Sequence, residues 1–280
     1  MKTVYKLLLA RVAYFGLHAA RTAIGLSDHT VVKRSGVTFD LDLSQGIEIA
    51  MYLGNMFERG TGNAIRKLVQ PSWLVLDIGA NIGAHTLPMA RLVGPTGRVV
   101  SFEPTEYAYQ KLKRNLDLNP DIASRVTTYQ CFLAAKDEAE VPGSIYSSWP
   151  LSVNDGLHAK HLGQAMSTNK ARARSLDGVL AEMGNPTVQL VKLDIDGFET
   201  EVLRGATTML RDSRPVFVME LSPYQLEECG SSIEELLACF GPYGYKFYHE
   251  RSGRELPTSA KEIREMIGDG ASINAIARVT

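Results

Sequence analysis

The stretch Trp73-Leu74-Val75-Leu76-Asp77-Ile78-Gly79-Ala80-Asn81-Ile82-Gly83 limits what this chain can fold into more than any other. A short apolar run that ends in an acid and passes into Gly-x-x-x-Gly has the form of a buried parallel strand turning into a helix beneath a bound nucleotide. Glycine is needed where the backbone bends sharply or lets a ligand approach, and the helix start that follows is expected to offer free N–H groups. The spacing is not the dinucleotide pattern Gly-x-Gly-x-x-Gly. The carboxylate of Asp77 also suits a cationic or hydrogen-bond-donating partner better than a pyrophosphate.

Around this turn strands and helices alternate in the βαβ manner. Apolar β-branched runs predict strands over 74–78, 99–103, 126–133, 188–195 and 215–221. Helical patterns follow at 84–92, where Pro88 implies a late start or a kink, and at 106–118, 176–180, 199–210 and 233–240. Two last strands, 246–250 and 273–279, are expected to pair with each other. This is a doubly wound, mostly parallel α/β sheet. Ahead of it, residues 1–70 form an expected addition: an N-terminal helix, a hairpin over 31–43 around Ser35-Gly36, and a helical segment over 47–69 broken near Gly60 and Gly62. Residues 71–280 make the cofactor-binding domain, in which about 137–175 lose all periodicity and read as a functional loop.

Composition narrows the function. With 45% hydrophobic and 22% charged residues the chain is ordinarily globular, and a net charge of −1 gives it no general affinity for nucleic acid. The three cysteines, Cys131, Cys229 and Cys239, have no metal-ligand spacing and fit reduced thiols in a cytoplasmic protein. Residues 1–26 carry Lys2, Lys6, Arg11 and Arg21, with no acid until Asp28. Arg11 interrupts the apolar run, which disfavours both a cleaved leader and a membrane span. A basic apolar helix of this kind can lie on the inner face of a membrane as a peripheral contact, pack on a partner, or simply cover the domain. Its residues do not divide into clean faces at helical spacing, which favours packing.

Asp77, Glu103, Asp194 and Glu220 fall at the carboxyl ends of four predicted strands. In an open parallel sheet the ligand crevice lies outside those ends, so acids remote in sequence converge on one edge. Glu103, followed by Pro104, stands where a doubly wound fold places the carboxylate for ribose hydroxyls. A dinucleotide would want a phosphate cradle and a second mononucleotide half. S-adenosylmethionine carries an adenosine, an amine and a sulfonium cation and no phosphate, so acids suit it.

These residues also carry a resemblance. Asp77-Ile78-Gly79-Ala80-Asn81-Ile82-Gly83, Phe102-Glu103-Pro104, and Val191-Lys192-Leu193-Asp194-Ile195-Asp196-Gly197-Phe198-Glu199 with Val202-Leu203-Arg204-Gly205-Ala206 after it resemble the FkbM family of S-adenosylmethionine-dependent methyltransferases, over roughly 40–248. Glu58 in Phe57-Glu58 matches a glutamate that the family carries upstream of its glycine turn. The resemblance implies a class I methyltransferase fold, Rossmann-like, with a seven-stranded sheet whose final strand is antiparallel. It also implies O-methylation of a hydroxyl, on acceptors that range from polyketides to the sugars of surface glycans. By position, Glu58, Asp77, Gly79, Asn81, Gly83, Glu103, Pro104 and Asp194 would hold the cofactor, and Asp194 with Glu199 would face the reaction. This chain has His85 where the family more often has Tyr or Phe, and Asp196 where it more often has Glu.

Methyl transfer to a hydroxyl needs alignment, exclusion of water and removal of a proton. Asp194 is the first candidate for the base and His85 the second, with His158 and His161 behind them. Lys192 points by strand alternation to the same face as Asp194 and would neutralise it. No metal is expected, because Asp194 and Asp196 beside a helix start suit capping at least as well as a cation held with Glu220. Ser148 and Trp149, with Ser147 and Asn154 nearby, are the acceptor candidates in the irregular loop, and Glu199 and Glu220 are expected beside the acceptor. A sugar of a surface glycan or glycolipid is the favoured acceptor and a polyketide or other small molecule the alternative. A protein that binds the cofactor without catalysis is the more distant reading.

Overall fold

In a computed structural model, which describes residues 3–54, 57–152, 157–158 and 162–280, the sheet is built on the 74–83 stretch. In chain order the strands are β1 (His29–Arg34), β2 (Val37–Asp42), β3 (Leu74–Ile78), β4 (Arg98–Phe102), β5 (Val126–Tyr129), β6 (Cys131–Leu133), β7 (Ser144–Ser148), β8 (Gln164–Ser167), β9 (Arg172–Arg174), β10 (Leu190–Leu193), β11 (Val216–Leu221), β12 (Tyr245–His249) and β13 (Ile273–Val279). The main sheet runs β12-β13-β11-β10-β3-β4-β5, and only β13 is antiparallel to its neighbours β11 and β12. This is the seven-stranded class I methyltransferase topology. The strand order reverses between β3 and β10, which places the crevice at their carboxyl ends.

Alternation along each strand splits the core in two. Leu76, Ile78, Val100, Phe102, Val191, Leu193 and Phe217 pack on one face, against the helices Leu176–Glu182, Glu199–Arg204, Thr207–Asp212 and Ile233–Phe240. Val75, Val99, Leu190 and Val218 pack on the other, with the helices Arg59–Leu68, Thr86–Leu92 and Glu106–Asp117. Val37, Phe39 and Leu41 of β2 share that second core, so the hairpin is bound to the sheet through side chains.

Several elements differ from their sequence pattern. The break in the 47–69 segment falls after Tyr52 and not at Gly60 or Gly62, which lie inside the helix Arg59–Leu68. Gly54, at φ +115°, and Glu58, at φ +37°, lie at that break, whereas a Cβ on Gly60 would stand 2.2 Å from Glu250 Oε2. The 126–133 strand is two, because β5 ends in the main sheet and β6 leaves it to pair with β9. The 199–210 helix is interrupted at Gly205, where a Cβ would lie 2.3 Å from the Ala134 carbonyl oxygen. Asp177 then caps the second piece by accepting from the N–H groups of Thr208 and Met209. The irregular 137–175 segment contains an antiparallel hairpin of β7 and β8 as well as β9. Its alternation was hidden because neither hairpin strand is buried on a full face.

Candidate active site

The site begins with a line of polar side chains across three strands. Asp77 of β3 is the register partner of Lys192 in β10 and of Ser101 in β4, so all three side chains emerge on the same face. The Asp77 side chain is fully buried; its Oδ2 accepts from Thr86 Oγ at 2.6 Å, and its Oδ1 faces Lys192 Nζ at 3.7 Å without a hydrogen bond. Lys192, 3% exposed, donates to the Gly79 carbonyl at 2.9 Å and lies 3.5 Å from Asp194 Oδ2. Burial alone would lower its pKa, but Asp194 and Asp77 beside it hold the ammonium above its ordinary value. Asp194, with 27% of its side chain exposed, is the member of the line that reaches solvent. Burial raises its carboxyl above the ordinary range, Lys192 works against that rise, and Glu58 adds to it.

The glycine turn is locked into the switch point. Gly79, Asn81 and Gly83 have φ of +79°, +48° and +89°. A Cβ on Gly79 would meet the Asp194 carbonyl oxygen at 2.0 Å, so glycine lets β3 and β10 close together. Every N–H of the turn is already taken. Gly79 and Ala80 donate to the Phe102 carbonyl, Asn81 to Glu103 Oε2 at 2.9 Å, Ile82 to Asn81 Oδ1 and Gly83 to the Ala80 carbonyl. The turn itself therefore offers no free N–H between Gly79 and Gly83, because the neighbouring strand end, the Asn81 side chain and the Ala80 carbonyl use them. Glu103 also accepts from the N–H and hydroxyl of Thr105, which hold its carboxyl down while burial pushes it up, with a net rise. Pro104 beside it is buried.

Above the turn, His85 Nε2 and Glu58 Oε2 are 2.8 Å apart, with His85 buried at the start of the helix Thr86–Leu92 and Glu58 in a left-handed conformation at φ +37°. The imidazole thus has an acid partner that lies 27 residues away in the sequence. Behind Asp194, Glu199 Oε1 accepts from the N–H groups of Ile195 and Gly197 at 3.2 and 3.4 Å. Burial pushes Glu199 up to about 7. Asp196 accepts from the Gln225 side-chain amide at 2.7 Å, and burial with Asp194 and Glu199 nearby pushes it up to about 8. Glu220 accepts from the Ser272 hydroxyl and is raised well above the ordinary carboxyl by burial and by Asp194. Among the described residues no group of three His, Cys, Asp or Glu side chains is arranged to hold a metal ion.

Beside Glu103 a shallow cleft is lined by Asn81, Thr105, Tyr107, Ser147, Ser148 and Trp149, among others. The 137–175 segment is tied to it at both ends of this wall. Asn81 Nδ2 donates to the Ser147 carbonyl at 3.3 Å, Ser148 Oγ donates to Gln45 Oε1 at 2.7 Å, and Gly46 N–H donates to the Trp149 carbonyl at 2.8 Å. His158 has its ring 4.8 Å from Tyr146 and its Nε2 3.6 Å from Glu228. Asn154 and His161 lie outside the described residues.

The donor set fits S-adenosylmethionine. A turn with its own N–H groups occupied is not a phosphate cradle, whereas carboxylates at three neighbouring strand ends match an amine, a sulfonium and a ribose. Asn81 and Asp194 would hold the amino-acid part and Glu103 the ribose, whereas Asp77, expected there too, is fully buried against Thr86 and Lys192. Gln130, at the break between β5 and β6, has a buried side-chain nitrogen with no hydrogen bond and would meet the purine edge. Bound there, the cofactor supplies an electrophilic methyl group. Thr86, Thr105, Gln130 and Gln225 were missing from the sequence reading. None belongs to a motif, and only the register of β3 and β10 would have shown that Lys192 meets Asp77 as well as Asp194.

Comparison with known proteins identifies the family. The methyltransferase FkbM domain model matches residues 77–247, more than half of the chain. Methyltransferase 1 of Beauveria bassiana is 29% identical over 145 residues, which span 47% of this chain and 57% of that protein. The hexuronic acid methyltransferase AglP of Haloferax volcanii is 28% identical over 165 residues, 57% of this chain and 62% of that one. The chain thus spans less than two thirds of the length of these relatives. A solved structure of methyltransferase FkbM from Methylobacillus flagellatus superposes with a TM-score of 0.42 at 16% identity, covering 78% of this chain and 50% of that one. The matched span holds the glycine turn, Glu103 and the Lys192–Glu199 block, and the chain belongs to the FkbM family of S-adenosylmethionine-dependent methyltransferases.

Proposed function

We propose that this protein transfers a methyl group from S-adenosylmethionine to a hydroxyl of a sugar, in a glycan or glycolipid. The observation that carries the reading is Asp194: the solvent-reaching end of an otherwise buried line of charges, at the switch point, with a carboxyl more basic than usual. A sugar hydroxyl is a weak acid, and a positioned carboxylate of raised pKa is a suitable acceptor for its proton. Lys192 fixes where that carboxylate points, and the Glu58–His85 pair beside it offers a second place for the proton. The sugar is favoured by Trp149 and Ser148 in the cleft wall, which supply a ring face and a hydroxyl, and by a relative named for hexuronic acid.

The test is methyl transfer from labelled cofactor to glycan and glycolipid pools, with Asp194→Asn beside the wild type. General-base loss is expected to lower kcat by roughly two to four orders of magnitude. Calorimetry with S-adenosylhomocysteine on both proteins separates a chemical defect from lost binding. Transfer by the Asn variant at the wild-type rate, with the cofactor saturating, would remove Asp194 from the reaction.

A further inference from the structure

The N-terminal helix Thr3–Ala23 is apolar on two sides. Leu7, Ala10, Ala13, Tyr14 and Leu17 face inward and pack with Ile49 and Leu151. The opposite side presents Leu8, Leu9, Val12 and Phe15, which are 58, 60, 67 and 56% exposed. Leu8, Val12 and Phe15 recur at helical spacing and form one stripe, which Ala19 and Ala23 continue. Just beyond the helix Ile24 and Leu26 are exposed as well, at 72 and 49%. Side chains of this size at neighbouring positions are not the scattered apolar residues of an ordinary surface.

Charge is segregated onto the same segment. Residues 1–27 contain Lys2, Lys6, Arg11 and Arg21 and no acid, so with a chain total of −1 the remaining residues carry −5. The first acid, Asp28, is occupied by the Tyr14 hydroxyl at 3.0 Å and by His18 Nδ1 at 2.8 Å. Among the described residues no helix is long and apolar enough to cross a membrane. A segment with an exposed apolar stripe, four cations and no acid, on a net acidic protein, is complementary to an anionic lipid surface, on which the helix would lie flat.

We infer that the outer face of this helix docks the protein on anionic lipid. The inner face then connects the docked helix to the acceptor wall. Leu151 belongs to the helix's own apolar cluster, two residues beyond Trp149, and a Cβ on Gly46 would stand 3.6 Å from Leu7 and 3.1 Å from the Trp149 carbonyl oxygen. Docking therefore sets the cleft beside the headgroup layer, where a lipid-linked sugar would present its hydroxyls. The docking itself stands on the helix and not on the acceptor chemistry.

The experiment is vesicle flotation of the full chain with phosphatidylcholine alone and with phosphatidylcholine mixed with phosphatidylglycerol. The wild type is compared with a Leu8→Ser, Val12→Ser, Phe15→Ser triple variant. S-adenosylhomocysteine titration of both proteins reports the fold, and sedimentation equilibrium reports self-association. The wild type is expected to float with the anionic vesicles, and far less with the neutral ones. The triple variant is expected to lose partitioning by roughly a hundredfold while binding the cofactor product unchanged. The inference is overturned if folded wild type stays off anionic vesicles, or if the triple variant floats equally well. It is equally overturned if the wild type sediments as a dimer that the triple variant dissociates, since a second copy then covers the stripe. Loss of S-adenosylhomocysteine binding by a wild type that still floats would count against the proposed function and leave the docking standing.

Discussion

Replacing Lys192 by Met tests the charge line that organises the site. Methionine follows nearly the same path as the lysine stem, so the change removes the ammonium with little loss of packing. Three groups lose a partner: the Gly79 carbonyl at 2.9 Å, Asp194 Oδ2 at 3.5 Å and Asp77 Oδ1 at 3.7 Å. Asp77 matters most, because it is fully buried and that oxygen has no hydrogen bond. Breaking a buried ion pair from one side costs about 3–5 kcal/mol, a large part of the roughly 5–15 kcal/mol of a typical domain. Lys192 is held above its ordinary value, so its contribution is complete below about pH 10 and would be lost only as pH rises past that point. In the variant Asp194 loses the neighbour that lowers it, so stability should recover as pH falls from neutrality. Urea denaturation with linear extrapolation gives the loss, and Asp77→Asn in the variant background should restore part of it by removing the stranded charge. A loss below about 1 kcal/mol, or a double variant no better than the single one, would refute the ion-pair account.

Gly79→Ala should lose cooperative melting and S-adenosylhomocysteine binding together. Its Cβ meets backbone at 2.0 Å and its φ is +79°, whereas Gly16→Ala, with nothing within 4 Å in an exposed helix, should be neutral or stabilising by up to about 1 kcal/mol. A Gly79→Ala protein that melts and binds like wild type would show that β3 and β10 can separate without harm. Glu199 is held near 7, so between about pH 5 and pH 7 the folded chain keeps a proton that the unfolded chain has lost, and stability falls as pH rises through that window. Glu199→Gln keeps an acceptor for Ile195 and Gly197 and should flatten the slope by about 1 kcal/mol per pH unit in denaturation series; an unchanged slope would remove Glu199 as its source.

The frame of the fold was legible because parallel strands buried on both faces are nearly continuous apolar runs, as in Leu74–Ile78 and Val216–Leu221. What the pattern hid were interruptions set by contacts remote in sequence. Gly205 splits a helix because the Ala134 carbonyl passes against it, and β6 leaves β5 because β9 lies alongside. The N-terminal helix showed no clean faces for a different reason. Both its sides are apolar, one covered by Ile49 and Leu151 and one exposed, and a periodicity search finds a stripe only where the other side is polar.

The site divides along the same line. Convergence of Asp77, Glu103, Asp194 and Glu220 follows from strand direction alone, since each ends or nearly ends a parallel strand, and the sheet order puts those ends on one edge. What each acid does there depends on partners that strand direction cannot name. Glu199 was expected beside the reaction by its place in the motif; in the structure it accepts from the N–H groups of its own loop, and the neighbouring Asp196 is held by Gln225. Asp194 has neither kind of tether, and its only ion-pair neighbour, among the described residues, is the buried Lys192. An acid tied to backbone N–H groups spends its lone pairs on the fold, while one that answers to a single buried cation keeps an oxygen for a hydroxyl. That difference in partners, and not the spacing of the carboxylates, is the ground on which Asp194 and not Glu199 is proposed as the proton acceptor.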